Sequence, residues 1–254
     1  MKKLIRTLEF NFPGLIDVKY SLTRAYRNFL NKPFESDFYA LSLFPDSKDH
    51  LFLDIGANRG QSIDAILMQT QSGSIHSFEP NSLLFENLSK IYKNNSRVTV
   101  HNIGLGDVNT TEVLNIPFYK KWMCDGLGSF IEDGAGDWLK GRVYFYSEKK
   151  LSLKKIKAEI KRLDDFNFAP FFIKMDIQGF EYQALKGGIG TLKKHKPILL
   201  IETPDNNVVQ FLEELGYVQY AFSENKFIPH EAGYLNSFFM TNDKSDMVKK
   251  DIQM

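Results

Sequence analysis

The residues best suited to chemistry begin in a glycine-containing turn that follows a short apolar run. Residues 51–55 read Leu-Phe-Leu-Asp-Ile, and residues 56–60 read Gly-Ala-Asn-Arg-Gly. Glycines let a chain turn sharply and let a ligand approach the backbone, and the N–H groups that open a following helix face that ligand. The pattern predicts a nucleotide-type binding turn, although an ordinary strand–helix turn can have the same composition.

The acid that precedes this turn discriminates between two classes of cofactor. A dinucleotide site favours G-x-G-x-x-G, with a pyrophosphate on the end of the helix. Here Asn58 replaces the middle glycine, and Asp54 stands just before the turn. A carboxylate there would repel a pyrophosphate but attract the cationic amino end of S-adenosylmethionine. We therefore predict that S-adenosylmethionine is bound by Asp54, Gly56, Ala57, Asn58 and Gly60.

A second acidic residue follows the next apolar run. Glu79 lies about 20 residues beyond the glycine turn, where a ribose-binding acid is expected, because a carboxylate can accept both ribose hydroxyls. Pro80 fixes the backbone of the turn that follows, and Asn81 is a good helix cap. Glu79 alone could be a solvated loop acid, but together with the glycine turn it predicts that residues 79–81 bind the cofactor.

The elements that position these residues alternate between strand and helix. Apolar runs at 51–55, 74–78, 98–103, 171–176 and 197–202 suit buried strands of a parallel sheet. Between them lie segments with helical spacing: 61–69, 83–92, 182–195 and 207–215. This order predicts a doubly wound α/β fold, with right-handed crossovers and helices on both faces of a mostly parallel sheet.

The remaining segments complete a single predicted domain at 51–242. Residues 1–50 have apolar positions at helical spacing and predict an N-terminal helical extension. Residues 104–165 interrupt the alternation with strand-like segments at 112–118 and 155–162, which predicts a β-rich insertion. Residues 217–222 and 235–240 would close the sheet as an antiparallel pair. The polar residues 243–254 are expected to form a flexible tail.

Composition narrows the class of protein. The 254 residues suffice for one α/β domain with additions, and a net charge of +1 argues against DNA and RNA as partners. One cysteine excludes an internal disulfide and favours a reducing compartment. No apolar stretch approaches the roughly 20 residues that span a bilayer. A cytoplasmic protein without a membrane span is the expectation.

The ordered set of motifs resembles the FkbM-type methyltransferases over about residues 35–220. The resemblance rests on FLDIGANRG (52–60), FEP (78–80), NIGLGD (102–107), LDD (163–165), FIKMDIQGFE (172–181), LKG (185–187) and PILLIE (197–202). It implies a class I methyltransferase fold with a Rossmann-like seven-stranded sheet and S-adenosylmethionine as methyl donor. It also implies O-methylation of a hydroxyl on a sugar, a glycan or a small-molecule natural product. Gln178 stands where the family usually has Glu.

The resemblance adds three residues to the predicted site. It implies that Ile103 and Asp107 lie near the adenine, although Asp107 could instead support a turn. It also implies that Ser129 contacts the substrate. Ser129 lies in a segment at 122–138 whose glycines suggest a mobile cover for the site, with an irregular surface loop as the alternative.

Charged residues at the end of the fourth core strand are the candidates for catalysis. Ligands of open α/β sheets bind at the carboxyl ends of the strands, so Asp176 should face the transferring methyl. A positioned base speeds attack by a hydroxyl on the order of 10²–10⁴-fold. We predict Asp176 as that base or as a substrate-orienting group, with Glu202 as the second choice. Lys174 joins them as a catalytic candidate.

Glu181 has more than one interpretation. It could contact the substrate, or it could join Asp176 around Mg²⁺, which prefers carboxylate oxygens, although no motif supports a metal site. Alternatively, it begins a helix where an acid is electrostatically favoured.

Two rival functions stay open. An RNA-directed or N-directed methyltransferase is disfavoured by the near-neutral charge and by the sequence Asp176-Ile177-Gln178-Gly179, which lacks the proline and aromatic residue of an N-methylation tetrapeptide. A pseudoenzyme that binds the cofactor and acts through partners is suggested only by Gln178.

Overall fold

Two sheets organise the protein, which is seen here in a computed structural model that describes residues 7, 13–125 and 139–248. Twelve strands lie within this part of the chain. They are β1 (Leu51–Ile55), β2 (Ser74–Phe78), β3 (Val98–His101), β4 (Gly104–Leu105), β5 (Thr110–Tyr119), β6 (Trp122–Met123), β7 (Leu151–Lys161), β8 (Phe172–Met175), β9 (Ile198–Glu202), β10 (Val218–Ser223), β11 (Lys226–Pro229) and β12 (Asn236–Met240).

The larger sheet has the order β11-β10-β12-β9-β8-β1-β2-β3. The five strands from β9 to β3 run parallel, whereas β12 lies antiparallel between β9 and β10. This is the class I methyltransferase arrangement, as predicted, but with eight strands where the resemblance implied seven. The additional strand, β11, pairs with β10 through a two-residue turn. Glu224 and Asn225 at this turn both have positive φ, which gives the twist that a tight hairpin needs.

Helices cover both faces of this sheet, as the alternating pattern predicted. The α-helices are α1 (Pro13–Phe29), α2 (Gln61–Gln69), α3 (Ser82–Tyr92), α4 (Glu181–Gly187), α5 (Ile189–His195), α6 (Asn206–Glu214) and α7 (Asn242–Ser245). Short 3₁₀ helices lie at Ser36–Leu43, Glu148–Lys150 and Leu163–Phe166.

The helix expected at 182–195 is divided in two at Gly188. Gly187 packs so tightly that a Cβ there would lie 1.9 Å from the carbonyl oxygen of Gly106. The carboxylate of Asp164 then accepts hydrogen bonds from the backbone N–H groups of Gly190 (3.0 Å) and Thr191 (2.8 Å), at the start of α5. A distant acid therefore caps the second helix, which local spacing does not reveal.

Consecutive residues of the central strands enter two different cores, because side chains of a strand alternate between its faces. Phe172 packs with the 3₁₀ helix at Ser36–Leu43 and with α2 and α3 on one face, while Ile173 packs with α4, α5 and α6 on the other. Strands that are buried on both faces explain the continuous apolar runs.

The insertion forms the smaller sheet, in the order β4-β7-β5-β6. Strands β5 and β7 pair antiparallel from Thr110↔Ile160 to Tyr119↔Leu151. Leu114, Ile116 and Ala158 form a separate apolar cluster on this sheet. The predicted β-rich insertion is thus confirmed, and it approaches the larger sheet where β4 follows β3.

The N-terminal extension is helical, as predicted, whereas the predicted tail begins with a short helix. The 3₁₀ helix Ser36–Leu43 contributes Phe38 and Leu41 to the main core. At the other end, α7 forms where a flexible tail was expected, and Met247 and Val248 pack against that same core. Residues 249–254 lie outside the described residues. No helix in the described part of the chain has both the length and the apolar character needed to span a membrane.

Candidate active site

A cavity of about 310 Å³ opens at the carboxyl ends of β1, β2, β8 and β9, the edge at which open α/β sheets bind ligands. The 3₁₀ helix region and the insertion complete its wall. Its described lining residues are Phe34, Glu35, Phe38, Gly56, Ala57, Asn58, Gln61, Ser62, Glu79, Pro80, Asn81, Leu84, Leu114, Asp125, Lys174, Asp176, Ile177, Gln178 and Glu202.

The glycine turn after β1 brings two strand ends into contact. Gly56 has φ +89°, and a Cβ there would lie 1.9 Å from the backbone oxygen of Asp176, so only glycine fits. Its N–H donates to the carbonyl oxygen of Phe78 at 3.0 Å, and that of Ala57 does so at 3.1 Å. Asn58 also adopts the left-handed conformation (φ +47°), which asparagine tolerates better than most residues. The turn fixes the backbone from which a ligand would be bound.

The carboxylate of Glu79 organises the same corner. Its Oε2 accepts a hydrogen bond from the N–H of Asn58 (2.7 Å), and its Oε1 accepts one from the N–H of Asn81 (2.9 Å). Burial raises the pKa of Glu79 to about 7, even though both hydrogen bonds favour the charged form. Each carboxylate oxygen keeps a second lone pair. Glu79 lines the cavity and can therefore accept further hydrogen bonds from a diol.

Two polar groups near this turn bear on the fit of S-adenosylmethionine. Asn58 has a buried side-chain oxygen with no hydrogen-bond partner among the described residues. Asp54 is fully buried and does not line the cavity; it accepts a hydrogen bond from the Ser77 hydroxyl at 2.7 Å. Burial raises the pKa of Asp54, while hydrogen bonds from Ser62 and Ser77 oppose that rise. The unpartnered acceptor and the acidic wall fit a cationic ligand end.

Asp176 and Glu202 form a pair of acids in the wall of the cavity. Gln178 donates its side-chain N–H to Asp176 Oδ1 at 2.8 Å and to Glu202 Oε2 at 3.3 Å. A hydrogen bond between the two carboxyl groups is the main reason that the pKa of Glu202 rises to about 8, and burial adds to it. The two carboxyl groups therefore retain one proton between them near neutral pH.

Lys174 lies beside this pair, in a buried network that sequence analysis missed. Its ammonium donates to the side-chain oxygen of Asn236 at 3.1 Å. The amide nitrogen of Asn236 donates to Glu35 Oε2 at 3.0 Å and to Asp37 Oδ2 at 2.8 Å. Burial raises the pKa of both carboxyl groups. The one available signal was Asn236 itself, a polar residue within an otherwise apolar strand.

Pro80 and Asn81, which were predicted to bind the cofactor, both line the cavity. Asn81 also caps α3, because its side-chain oxygen accepts a hydrogen bond from the N–H of Leu83 at 3.1 Å. Three other predicted residues lie outside the cavity lining. Ile103 packs in the core, Asp107 binds Lys186 Nζ at 3.0 Å, and Gly60 begins α2.

Glu181 is used inside its own loop. Its carboxylate accepts hydrogen bonds from the backbone N–H groups of Ile177 (3.0 Å) and Gly179 (2.9 Å), and the side chain does not line the cavity. This geometry favours the structural interpretation over contact with substrate, because the carboxylate holds the turn that carries Gln178. Ser129 and most of the predicted cover at 122–138 lie outside the described residues.

The described residues contain no group of three or more His, Cys, Asp or Glu side chains arranged to hold a metal ion. Asp176 is engaged by Gln178 and Glu202 instead. The proposed Mg²⁺ ligand set of Asp176 and Glu181 is not formed, because Glu181 binds backbone amides.

A protein-family model matches most of this chain. This family model, for the methyltransferase FkbM domain, matches residues 54–219, which are well over half of the chain. No curated protein matches the sequence.

Solved structures with similar folds are distant in sequence. The methyltransferase FkbM from Methylobacillus flagellatus KT is 19% identical, with a TM-score of 0.49, over 79% of this chain and 47% of that one. A SAM-dependent O-methyltransferase from Thermotoga maritima is 14% identical (TM-score 0.39), over 83% and 65%. Precorrin-6y C5,15-methyltransferase from Geobacter metallireducens GS-15 is 14% identical (TM-score 0.38), over 79% and 83%. The chain spans about half the length of the first of these.

Proposed function

The chain belongs to the FkbM methyltransferase family, and we propose that it transfers a methyl group from S-adenosylmethionine to a hydroxyl of a sugar, a glycan or a small-molecule natural product. The observation that carries the O-directed part of this proposal is the pairing of Asp176 with Glu202 at the cavity wall. A hydroxyl must lose its proton on methylation, so an acceptor of that kind needs a base where methyl transfer occurs.

The donor end of the proposal rests on the corner between β1 and β2. Glu79 would accept hydrogen bonds from the two ribose hydroxyls, since each of its oxygens retains a free lone pair. The turn at 56–58 would bind the amino-acid portion through its backbone, and Asn58 Oδ1 would accept a hydrogen bond from the ammonium group. When bound, S-adenosylmethionine supplies a methyl group on a sulfonium centre.

The residues at the other end would manage the proton. Asp176 accepts the proton of the acceptor hydroxyl as the new C–O bond forms and the C–S bond breaks. Glu202 keeps its own proton and donates a hydrogen bond to Asp176, so the pair holds one negative charge before transfer. Gln178 orients both carboxyl groups, and the Lys174 ammonium lowers the cost of their charge. Alignment of acceptor and donor would supply much of the remaining acceleration.

A two-stage experiment tests this proposal. Calorimetry with S-adenosylhomocysteine first measures cofactor binding, and then labelled methyl transfer is screened over sugars, glycolipids and polyketides. Asp176→Asn should retain cofactor affinity and lose on the order of 10²-fold or more in turnover, because the amide cannot accept the proton. Asp49→Asn is the matched control, since Asp49 is exposed and lies outside the cavity lining.

The outcomes separate the rival functions. Cofactor binding without turnover on any acceptor would favour a pseudoenzyme. Transfer to RNA or to an amine, with Asp176→Asn as active as wild type, would contradict the O-directed proposal.

A further inference from the structure

A second, larger cavity of about 740 Å³ adjoins the first and lies between α1, α2 and α3. Four residues, Phe34, Asn58, Gln61 and Leu84, line both cavities and form their common wall. We call this second cavity the basic groove. Its other described lining residues are Lys19, Tyr20, Ser21, Thr23, Arg24, Arg27, Asn28, Arg59, Asp64, Met68, Asn87, Leu88, Lys90 and Ile91.

The two cavities carry charges of opposite sign. Five cationic side chains and one carboxyl group, that of Asp64, are among the described residues that line the basic groove. The first cavity has the reverse balance, with one cationic side chain, Lys174, and five carboxyl groups: Glu35, Glu79, Asp125, Asp176 and Glu202. A wall of side chains therefore separates an acidic compartment from a basic one, and each compartment attracts a ligand of opposite charge.

Two of the groove's cations are already paired with acids. Arg24 forms an ion pair with Asp64 and also donates to the backbone oxygen of Arg59 at 2.7 Å. Arg59 forms an ion pair with Asp125, which lies in the wall of the first cavity. The contacts of Arg24 hold α1 against α2 and the glycine turn, and the two ion pairs account for only part of the positive charge.

Two further cations give the groove its capacity for an anion. Arg27 donates to the carbonyl oxygen of Pro33 at 2.8 Å and lies 5.1 Å from the ring centre of Phe34, so neutral partners orient it without cancelling its charge. Lys90 is exposed in the last turn of α3, across the groove from α1. An orienting contact prepares a guanidinium for an oxyanion, because less side-chain freedom is lost on binding.

We propose that the basic groove binds a phosphate group carried by the methyl acceptor, which places phosphorylated molecules in the acceptor class. This inference rests on the proposed methyl transfer in the adjoining cavity. The donor is cationic and suits the first cavity, where carboxyl groups outnumber cations, whereas a phosphate finds the excess of cationic side chains only in the groove. A phosphorylated acceptor would instead place its anion in the groove and reach its hydroxyl past the common wall, which also keeps the two substrates from competing for one site.

The test measures binding of defined phosphates without requiring the natural acceptor. Glucose 1-phosphate and glucose are titrated at low ionic strength, where charge interactions are least screened, and binding is followed by NMR of the labelled protein. The wild type should bind the phosphate and not glucose. The double variant Arg27→Gln/Lys90→Gln should bind glucose 1-phosphate about tenfold more weakly, as two partly exposed charge contacts are lost. Lys93→Gln, on the same helix end but outside the groove lining, is the control and should match wild type.

A second arm identifies the source of the phosphate. Vesicles of phosphatidylcholine with phosphatidic acid replace the sugar phosphate in a sedimentation assay. Retention that fails in the double variant but persists in Lys93→Gln assigns the groove to a lipid-borne phosphate, and binding of glucose 1-phosphate alone assigns it to a soluble one. Absence of binding in both arms, or equal weakening by the double variant and the control, overturns the inference.

S-adenosylhomocysteine affinity is measured on each variant and should stay unchanged. This readout separates the inference from the proposed function. Loss of phosphate binding with normal cofactor binding tests the groove alone, whereas a wild type that does not bind the cofactor would contradict the proposed methyl transfer.

Discussion

Asp176 and Glu202 are joined by a single amide, because Gln178 donates to an oxygen of each at 2.8 Å and 3.3 Å. The two acids come from adjacent parallel strands, β8 and β9, while Gln178 sits in the turn after β8 with φ +54°. A glutamate at position 178, as the family usually has, would put a third carboxylate against this pair. The amide instead donates a hydrogen bond and adds no charge, so it supports a pair that shares one proton.

Glu202 should make folding stability depend on pH. Its pKa in the folded protein is about 8, above the ordinary value of 4.5, so the folded state retains a proton that the unfolded chain releases. This contribution is therefore complete below about pH 4.5 and is lost as the pH rises through about 8. Between pH 5 and 8 the wild type should lose about 1–2 kcal/mol relative to Glu202→Gln, an estimate reduced because the group is partly exposed. Urea denaturation across this range measures the difference, and parallel curves for the two proteins would contradict the shared proton.

Glu79→Gln should weaken the binding of S-adenosylhomocysteine by about 1.5–3 kcal/mol, because hydrogen bonds from the ribose to a charged acceptor are lost. Glutamine has one acceptor oxygen and can keep only one of the two backbone hydrogen bonds that Glu79 now accepts, so circular dichroism checks that the variant is folded. Calorimetry on the folded variant gives the affinity. Glu112→Gln, an exposed change on β5, is the control, and equal affinities in all three proteins would remove Glu79 from the cofactor site.

Gly56→Ala should be more destabilising than Gly216→Ala, although both glycines have nearly the same backbone conformation (φ +89° and +83°). At Gly216 no atom lies within 4 Å of an added Cβ, so only the left-handed strain of about 1–2 kcal/mol is expected. At Gly56 the added carbon meets the backbone oxygen of Asp176, which adds about 1–3 kcal/mol of overpacking. Denaturant midpoints compare the two, and equal losses would show that the turn can move away from β8.

Asn236→Ala should cost about 2–4 kcal/mol in the free energy of unfolding, because the ammonium of Lys174 and the carboxyl groups of Glu35 and Asp37 would lose a common partner in a buried setting. Asn207→Ala, at an exposed position in α6, is the comparison and should change stability little. Thermal and urea unfolding of both variants check this. A loss for Asn236→Ala no larger than that for Asn207→Ala would mean that water replaces the amide readily.

The parts of the site that could be predicted from sequence are those built from local pattern. The glycine turn and Glu79 follow buried strands directly, so position along the chain sets their place at the sheet edge. For Glu181 the sequence allowed either a contact with substrate or a structural role, and its position along the chain did not decide between them. Its hydrogen bonds to backbone N–H groups favour the structural role.

The parts that were missed depend on pairing between distant segments. Asn236 reaches Glu35 across 201 positions of sequence, and no local spacing encodes that contact. The hairpin strand β11 was also missed, since the Glu224-Asn225 turn lacks the glycine that usually marks such a turn. Charge in the basic groove likewise comes from separate helices, which an overall net charge of +1 conceals.

The position of β12 between β9 and β10 has a consequence for synthesis of the protein. On a ribosome, β9 and β10 emerge before β12, although in the native sheet both of them pair with β12. These pairings can therefore form only after residues 236–240 have left the exit tunnel. During that interval two strand edges stay open in the nascent chain, and such edges are the surfaces on which chains pair with each other wrongly. The sheet is therefore completed late, because β12, the last of the described strands in the sequence, is inserted between two strands that were made earlier and is not added at an edge.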